Sequence, residues 1–279
     1  MVSVIAEAQH QSVEQIAEGI LHTYHVDSEA LGASKIGTYL RCPKSYELAY
    51  VQKLPAASSP AAAVGTTVHR VIGEGRKQHW GPHDARMAGD FLVELWARVR
   101  PATADPDDPK AALSIEQART VWLPWYLNWI QGQIDVASEE HWRLTLPNET
   151  PISLEGTIDR VYRSNGETII GDVKTGARAP SEKDVGTDLQ LSIYSWAYRQ
   201  MSGGAESALE IVNLRQTRVV RTTRTDRYLS RVMADVVVPV AEAIRAGIFP
   251  ANPSTKFGCG YCNHQALCVV GQGPNGGAR

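Results

Sequence analysis

Two alternating apolar runs flank the dipeptide Asn165-Gly166 in the segment GTIDRVYRSNGETIIGDVKTG. An Asn-Gly pair between such runs is the strongest short-range signal for a β-hairpin with a two-residue loop, and this loop length fixes the strand register. If these two residues form the loop, counting outward along both strands places Asp159 opposite Asp172. The sequence therefore predicts three strands, over residues 140–146, 151–163 and 167–174.

The two opposed carboxylates, together with Lys174, do not serve the stability of a hairpin. Like charges directly opposite each other across a ladder are destabilising, and the side-chain period of two puts Lys174 on the same face as Asp172. A divalent cation such as Mg²⁺ or Mn²⁺ between the carboxylates converts this repulsion into coordination. The lysine can then orient or help deprotonate a water that attacks phosphorus. The competing interpretation is an Asp–Lys–Asp cluster on a solvated sheet face, which a one-residue bulge would produce.

The cysteines form a second candidate site. Three of them make a C-x2-C-x5-C run near the end of the chain, and one lies far upstream. No run of about 18 apolar residues and no secretory leader pattern is present, so we expect a cytoplasmic chain, where thiols ligate metals more readily than they form disulfides. Four thiolates suit zinc and a [4Fe–4S] cluster equally, and simple burial of free thiols is the alternative. We expect a metal-held structural clasp between the two ends of the chain, formed by Cys42, Cys259, Cys262 and Cys268.

The remainder of the chain is expected to be mainly helical. Periodicity indicates helices over 34–52, over 65–75 with His69, and over 114–133 with a kink at Pro124. The last of these has an aromatic face, which is more typical of a core than of a surface that stacks bases. We expect an N-terminal helical extension (1–33), one main domain (34–270) with a helical insertion at about 76–135 and the cysteine region at 250–270, and a flexible tail (271–279).

The net charge of −2 excludes a general attraction to nucleic acid or to anionic membranes. Any contact with nucleic acid therefore needs a local basic patch. Arginines that recur at every third residue after the predicted sheet could track phosphates, as could Arg178 after the hairpin, although solvated arginines on a strand or helix start are the ordinary alternative. The candidate contacts in the recurring band are Arg215, Arg218, Arg221, Arg224 and Arg227.

Taken in order, these residues resemble a known active site. His69, Asp159, the tripeptide Asp172-Val173-Lys174 and the downstream segment QLSIY (190–194) are similar to the active-site set of the PD-(D/E)XK nuclease superfamily. The cysteines, one before this set and three after it, resemble those of RecB-type nucleases that hold an iron–sulfur cluster, including CRISPR-associated and phage-encoded exonucleases. The resemblance covers roughly residues 34 to 270.

The resemblance implies a role for each matched residue. Lys174 would position the attacking water, while Gln190 and Tyr194, one helical turn apart, would contact DNA or support the lysine. The four cysteines would hold a [4Fe–4S] cluster rather than zinc. The ligands of the catalytic Mg²⁺ or Mn²⁺ would be His69, Asp159, Asp172 and the main-chain carbonyl of Val173.

The resemblance also implies a fold and an activity. The fold would be α/β, with a restriction-endonuclease-like mixed central sheet flanked by helices. The activity would be metal-dependent exonucleolytic cleavage of single-stranded DNA, with 5′→3′ polarity implied by the family alone, and the partners would be DNA and a helicase, recombination or CRISPR-adaptation protein. The alternative is a non-cutting adaptor that binds DNA ends. The residues themselves do not separate DNA from RNA.

Overall fold

A computed structural model describes residues 30–55, 59–99, 108–178, 180–253, 259, 262–268 and 270. Its strands are β1 (Ile134–Leu146), β2 (Ile152–Ser164), β3 (Glu167–Lys174), β4 (Ala208–Asn213) and β5 (Arg218–Thr222). They form one five-stranded sheet in the order β1-β2-β3-β4-β5. The β3–β4 pair is parallel and the other pairs are antiparallel. The predicted mixed sheet is confirmed.

The β2–β3 hairpin has the predicted turn and register. Asn165 and Gly166 have φ values of 50° and 81°, the positive values that a type I′ turn requires. Because this turn twists with the strands, it sets which residues face each other. The ladder runs from the pair Ser164–Glu167 to the pair Arg160–Gly171.

The ladder stops one step short of the carboxylates. Beyond the pair Arg160–Gly171, Asp159 and Asp172 are level with each other but are not a ladder pair. Instead, Oδ2 of Asp159 accepts a hydrogen bond of 2.9 Å from the backbone N–H of Val173. The expectation that the two carboxylates pair across the ladder is therefore corrected. At this level the side chain of Asp159, and not its backbone, accepts the hydrogen bond from β3.

Strand β1 begins earlier than predicted, at Ile134 instead of residue 140. It pairs with β2 from Ile134 to Leu146, with a register shift between Asp135 and Ala137 and a second interruption at Glu139, whose φ is 51°. Ile134 and Val136 are exposed, so no alternation marks this part of the strand in the sequence. It is extended because the edge of β2 offers N–H and C=O groups that need partners.

Helices cover both faces of the sheet. They are α1 (Ala33–Arg41), α2 (Pro43–Tyr46), α3 (Pro60–Lys77), α4 (Ala85–Val99), α5 (Pro109–Gln117), α6 (Leu123–Trp129), α7 (Glu182–Gly186), α8 (Leu189–Ser202), α9 (Asp226–Val232) and α10 (Val238–Arg245). The predicted helix over 34–52 is divided at Cys42, whose backbone is extended, and Pro43 starts α2. The helix predicted over 65–75 is α3.

Two apolar cores lie on opposite faces of the sheet, as the strand period of two requires. Val212 of β4 packs with residues of α3 to α6, whereas its neighbour Ile211 packs with residues of α1 and α8 to α10. The aromatic face predicted for the core is buried at Trp122 and Tyr126, while Trp125 and Trp129 stack with ring centroids 6.0 Å apart at its border.

Two prolines sit inside long helical stretches. Each follows a π-helical turn, Ala118–Trp122 before Pro124 and Met233–Val237 before Pro239. A proline has no N–H and its ring crowds the carbonyl four residues back, and the wider turn relieves that contact. The helix predicted over 114–133 therefore runs from Pro109 to Trp129, with the π-turn at the position where we expected a kink.

The crossover between β3 and β4 carries α7 and α8 across one face. Ser181 and Asp184 form a capping box at the start of α7, and Asp188 caps α8 by accepting a hydrogen bond from the N–H of Leu191. Gly203, with φ of 69°, ends α8. These signals fix α8 beside the carboxyl end of β3.

The predicted N-terminal extension lies outside the described residues up to residue 29, and the predicted tail (271–279) lies outside them as well. None of the helices within the described residues has the length and apolar character needed to cross a lipid bilayer.

Candidate functional site

Lys174, the last residue of β3, lies in a chain of side-chain contacts. Its ammonium is 2.8 Å from Oδ2 of Asp172 and donates a hydrogen bond of 2.8 Å to Oε1 of Gln190. The amide of Gln190 donates in turn to the hydroxyl of Tyr194 at 2.8 Å. The structure therefore brings together Asp172, Lys174, Gln190 and Tyr194, and α8 supplies the support that fixes the lysine.

The second part of the site joins β2 to α3. Nδ1 of His69 lies 3.7 Å from Oδ2 of Asp159, and the hydrogen bond from Val173 N–H ties Asp159 to the strand that bears Asp172. His69 reaches this point because Val68 and Val71 bury the adjacent face of α3. All the predicted catalytic side chains are thus connected through contacts with one another or with β3.

Glu139 is a member of the site that sequence reasoning missed. His69, Glu139 and Asp159 each offer one ligand atom, and these atoms lie within 4.8 Å of one another. Glu139 lies inside β1, ahead of the residues that we expected to be a strand. No local pattern marks it, because its position depends on the pairing of β1 with β2 across a loop whose register the sequence leaves open.

Burial dominates the electrostatics of the site. It raises the pKa of the Asp172 carboxyl to about 7, with Lys174 opposing the change and Asp159 adding to it. Burial lowers the pKa of the Lys174 ammonium, but the charge of Asp172 and its hydrogen bond outweigh burial, so the net shift is upward. Burial, and then the charge of Asp159, raises the pKa of Glu139. The site therefore holds its carboxylates at a cost that a cation would remove.

The residues fit a divalent cation. Asp172 is 1% exposed; the ammonium of Lys174 donates to its Oδ1 at 3.1 Å and lies 2.8 Å from its Oδ2, which accepts no further hydrogen bond among the described residues. Carboxylate oxygens and one imidazole are ligands that Mg²⁺ and Mn²⁺ accept. A buried carboxylate that meets only one ammonium has oxygen lone pairs left over, and such an ion would satisfy them.

The loop after β3 is tied to the β4–β5 turn. Asn213 is 1% exposed, and its amide donates to the carbonyls of Gly176 at 3.0 Å and Arg178 at 3.4 Å. Gln216 donates to the carbonyl of Ala177 at 2.8 Å. Because Asn213 pairs with Lys174 in the parallel ladder, these bonds hold the loop next to Lys174.

The candidate DNA-contacting arginines have different surroundings. Arg178 is exposed and pairs with Asp184, and Arg218 is exposed at the start of β5. Arg215 lies over the ring of Trp122, whereas Arg221 pairs with Glu167 and Glu210. Arg224 is buried and donates to Ser192 and to the carbonyl of Val185, which is a structural contact. DNA contact by the others stays a prediction.

The four cysteines are half-buried and line one cavity. Burial, and then the neighbouring thiols Cys268, Cys42 and Cys262, raises the pKa of Cys259. Asn252 connects the two ends of the chain here, since its N–H donates to Sγ of Cys42 at 3.4 Å. The thiols are therefore gathered from the start and the end of the chain, and a metal or cluster between them stays a prediction.

Comparison with known proteins gives one family. A family model described as the PD-(D/E)XK nuclease superfamily matches residues 30–269. A crystal structure of SSO0001 is similar over 92% of this chain and 94% of that chain, with 13% sequence identity and a TM-score of 0.46. No curated protein sequence matches the chain.

Proposed function

The chain belongs to the PD-(D/E)XK nuclease superfamily, and from this premise we propose that it is a metal-dependent exonuclease that hydrolyses phosphodiester bonds of single-stranded DNA. The observation that carries the proposal is the contact chain Asp172–Lys174–Gln190–Tyr194 beside His69 and Asp159. Charged groups packed this closely destabilise the metal-free fold. A bound cation and a phosphate would offset these charges, which is typical of a catalytic site.

The ligands we propose for Mg²⁺ or Mn²⁺ are His69, Asp159, Asp172 and the carbonyl of Val173. When bound, the ion would supply a Lewis-acid charge that stabilises negative charge on the scissile phosphate. Asp159 is held toward β3 by the N–H of Val173, so its carboxylate is oriented before any ligand arrives. Preorganisation of this kind lowers the reorganisation that accompanies the reaction.

Lys174 acts in this proposal as a positively charged donor. Its pKa is raised, because Asp172 outweighs the effect of burial, so it is an ammonium at neutral pH and cannot accept a proton from water. Held by Gln190, the ammonium can orient the attacking water and offset the charge that develops on phosphorus oxygens. Tyr194 fixes Gln190, since burial raises the pKa of the phenol and keeps its hydroxyl protonated.

We propose further that Cys42, Cys259, Cys262 and Cys268 hold a structural [4Fe–4S] cluster. Their shared cavity supports a four-thiolate site, and the choice of iron–sulfur over zinc rests on the sequence resemblance. The 5′→3′ polarity has the same basis. A DNA partner is proposed for the exposed arginines Arg178, on the loop after β3, and Arg218, at the start of β5, because Asn213 contacts both residues beside Lys174.

The test is degradation of end-labelled single-stranded DNA, duplex DNA and RNA by the full chain with Mg²⁺, Mn²⁺ or EDTA. Lys174→Ala should lower the cleavage rate by about 10² to 10³-fold, since it removes a charged donor at the reaction centre. Lys110→Ala is the matched control, because Lys110 is an exposed lysine at the start of α5. Metal-dependent cleavage lost only in the first variant supports the proposal, and the label position gives the polarity. DNA binding without cleavage under any metal would favour the non-cutting adaptor.

A further inference from the structure

Three carboxylates lie at one level of three neighbouring strands. The pairs Ser138–Arg160 and Glu140–Ile158 put Glu139 level with Asp159, although Glu139 itself has a positive φ of 51°. The register of the hairpin places Asp159 level with Asp172. Neither Glu139 and Asp159 nor Asp159 and Asp172 form a ladder pair, but like charges at one level of neighbouring strands are destabilising unless a cation lies between them.

Other groups around Glu139 complete a ligand set. The ligand atoms of Glu139, Asp159 and His69 lie within 4.8 Å of one another. Independently, the Lys174 ammonium, 2.8 Å away, is the one cationic group that the structure's described residues place against the buried Oδ2 of Asp172, and the N–H of Val173 ties Asp159 to the strand that bears Asp172. One imidazole and several carboxylates are a donor set that Mn²⁺ accepts.

Helix α3 makes room for the side chain of Glu139. Gly73 lies one turn after His69, and a Cβ at this position would come within 3.2 Å of Cγ and 3.4 Å of Oε1 of Glu139. Glycine inside a helix is destabilising relative to alanine. The helix thus presents His69 and, one turn later, a position without a side chain against which Glu139 packs.

We infer that Glu139 is a ligand of the divalent cation of this site, in addition to His69, Asp159 and Asp172. This inference deepens the proposed function and rests on it for the reaction that the ion serves. The alternative is that Glu139 has a structural role, in which its carboxylate interacts with the positive charges of Arg70 and Lys77, which also act on it. The two assignments differ in what happens to metal affinity.

The experiment measures Mn²⁺ binding to the metal-free full chain by titration calorimetry and by the electron paramagnetic resonance signal of free Mn²⁺. Glu139→Gln keeps the size of the side chain and removes its charge. We expect it to weaken Mn²⁺ binding at least tenfold and to slow cleavage at limiting Mn²⁺, with partial recovery at high Mn²⁺. Glu140→Gln, the same change at the exposed neighbouring residue, should leave the affinity within twofold.

A second variant keeps the inference testable if Glu139→Gln does not fold. Gly73→Ala changes no ligand but crowds the Glu139 side chain, and we expect it to weaken Mn²⁺ binding about threefold or more while α3 stays helical by circular dichroism. Unchanged affinity in both variants would overturn the inference and support the structural assignment.

The outcomes also separate this inference from the proposed function. If Asp159→Asn abolishes Mn²⁺ binding and cleavage while Glu139→Gln binds Mn²⁺ like the wild type, the inference fails and the nuclease stands. If the wild type binds Mn²⁺ and loses it in Glu139→Gln, but cleaves no nucleic acid, the metal site stands and the nuclease proposal fails.

Discussion

The hairpin site and the four-cysteine region both gather ligand-type side chains, but the chain assembles them in opposite ways. Asp159, Asp172 and Lys174 come from two strands joined by a two-residue turn. The thiols come from Cys42 and from residues 259–268, more than two hundred residues later. Closing so long a loop costs conformational entropy, and contacts between residues that are close in sequence do not offset this cost.

The two regions also differ in how their ligand side chains affect the stability of the protein. In the hairpin site, buried carboxylates repel one another without a cation, and burial raises the pKa of Asp172 to about 7. The ionised carboxylates therefore lower the stability of the metal-free fold. In the cysteine region, a bound metal would add its binding free energy to folding. Removing a ligand should therefore stabilise the metal-free protein in the first region and destabilise the metal-loaded protein in the second.

The largest effect is expected from the cysteine region. Cys42→Ser replaces one thiolate of the proposed cluster and should cost about 4 kcal/mol, which corresponds to about 10 °C in Tm for a chain of this size. Thermal unfolding and the iron and zinc content of the anaerobically purified protein measure it. Ser34→Ala is the control, since Ser34 is an exposed serine of α1, the helix that ends next to Cys42, and its Tm should change by less than about 2 °C. An unchanged Tm for Cys42→Ser would remove the contrast between the two regions.

The second prediction concerns the hairpin site, where a substitution should raise the stability of the protein instead of lowering it. The pKa of Asp172 is higher in the folded protein, about 7, than in the unfolded chain, so the folded state binds more protons between these values and the metal-free protein loses stability as pH rises toward 7. Asp172→Asn removes this loss and should raise the free energy of unfolding by about 2 kcal/mol at pH 7.5, with little gain at pH 4. Urea unfolding at both pH values measures it.

The same variant has a built-in control. Saturating Mg²⁺ should stabilise the wild type at pH 7.5 and leave Asp172→Asn nearly unchanged, because the ion binds the ionised carboxylate. If Asp172→Asn is less stable than the wild type at neutral pH without metal, burial of the charge is not the dominant cost, and the two regions respond to ligand removal in the same direction.

The local parts of the hairpin site were predictable from the sequence, and the long-range parts were not. Asn165-Gly166 specifies a turn and a register within about ten residues on either side, and Gln190 and Tyr194 share a helical face by spacing alone. Both features are present. They depend only on backbone geometry that a short sequence determines.

Glu139 and Arg224 show where such reasoning ends. Glu139 joins the site through the pairing of β1 with β2, whose register includes a shift between Asp135 and Ala137, and an irregularity of this kind has no local signal. Arg224 shares the spacing of the other arginines but is buried against α8. A period of three in the sequence cannot distinguish an exposed strand face from the turn that follows it.

The prediction with the smallest expected effect concerns the turn of the hairpin. It tests whether the turn alone holds Asp159 level with Asp172. Gly166 has φ of 81°, and a Cβ there would meet no atom within 4 Å, so Gly166→Ala costs only backbone strain, about 1 kcal/mol or about 3 °C in Tm. Gly203→Ala is matched to it, with φ of 69° and equally open space at the end of α8. Both variants should lose similar stability in thermal unfolding and cleave DNA within twofold of the wild type.

The reason for the unchanged activity is that the buried faces also hold the register. A one-residue slip of β3 would put Gly171 in the buried position of Ile170, or Thr168 in that of Ile169, and the lost apolar burial exceeds the strain at one turn residue. Cleavage that falls much further in Gly166→Ala than in Gly203→Ala would show that the turn alone keeps Asp159 level with Asp172. The hairpin site would then be as dependent on one connection as the cysteine region is on its metal.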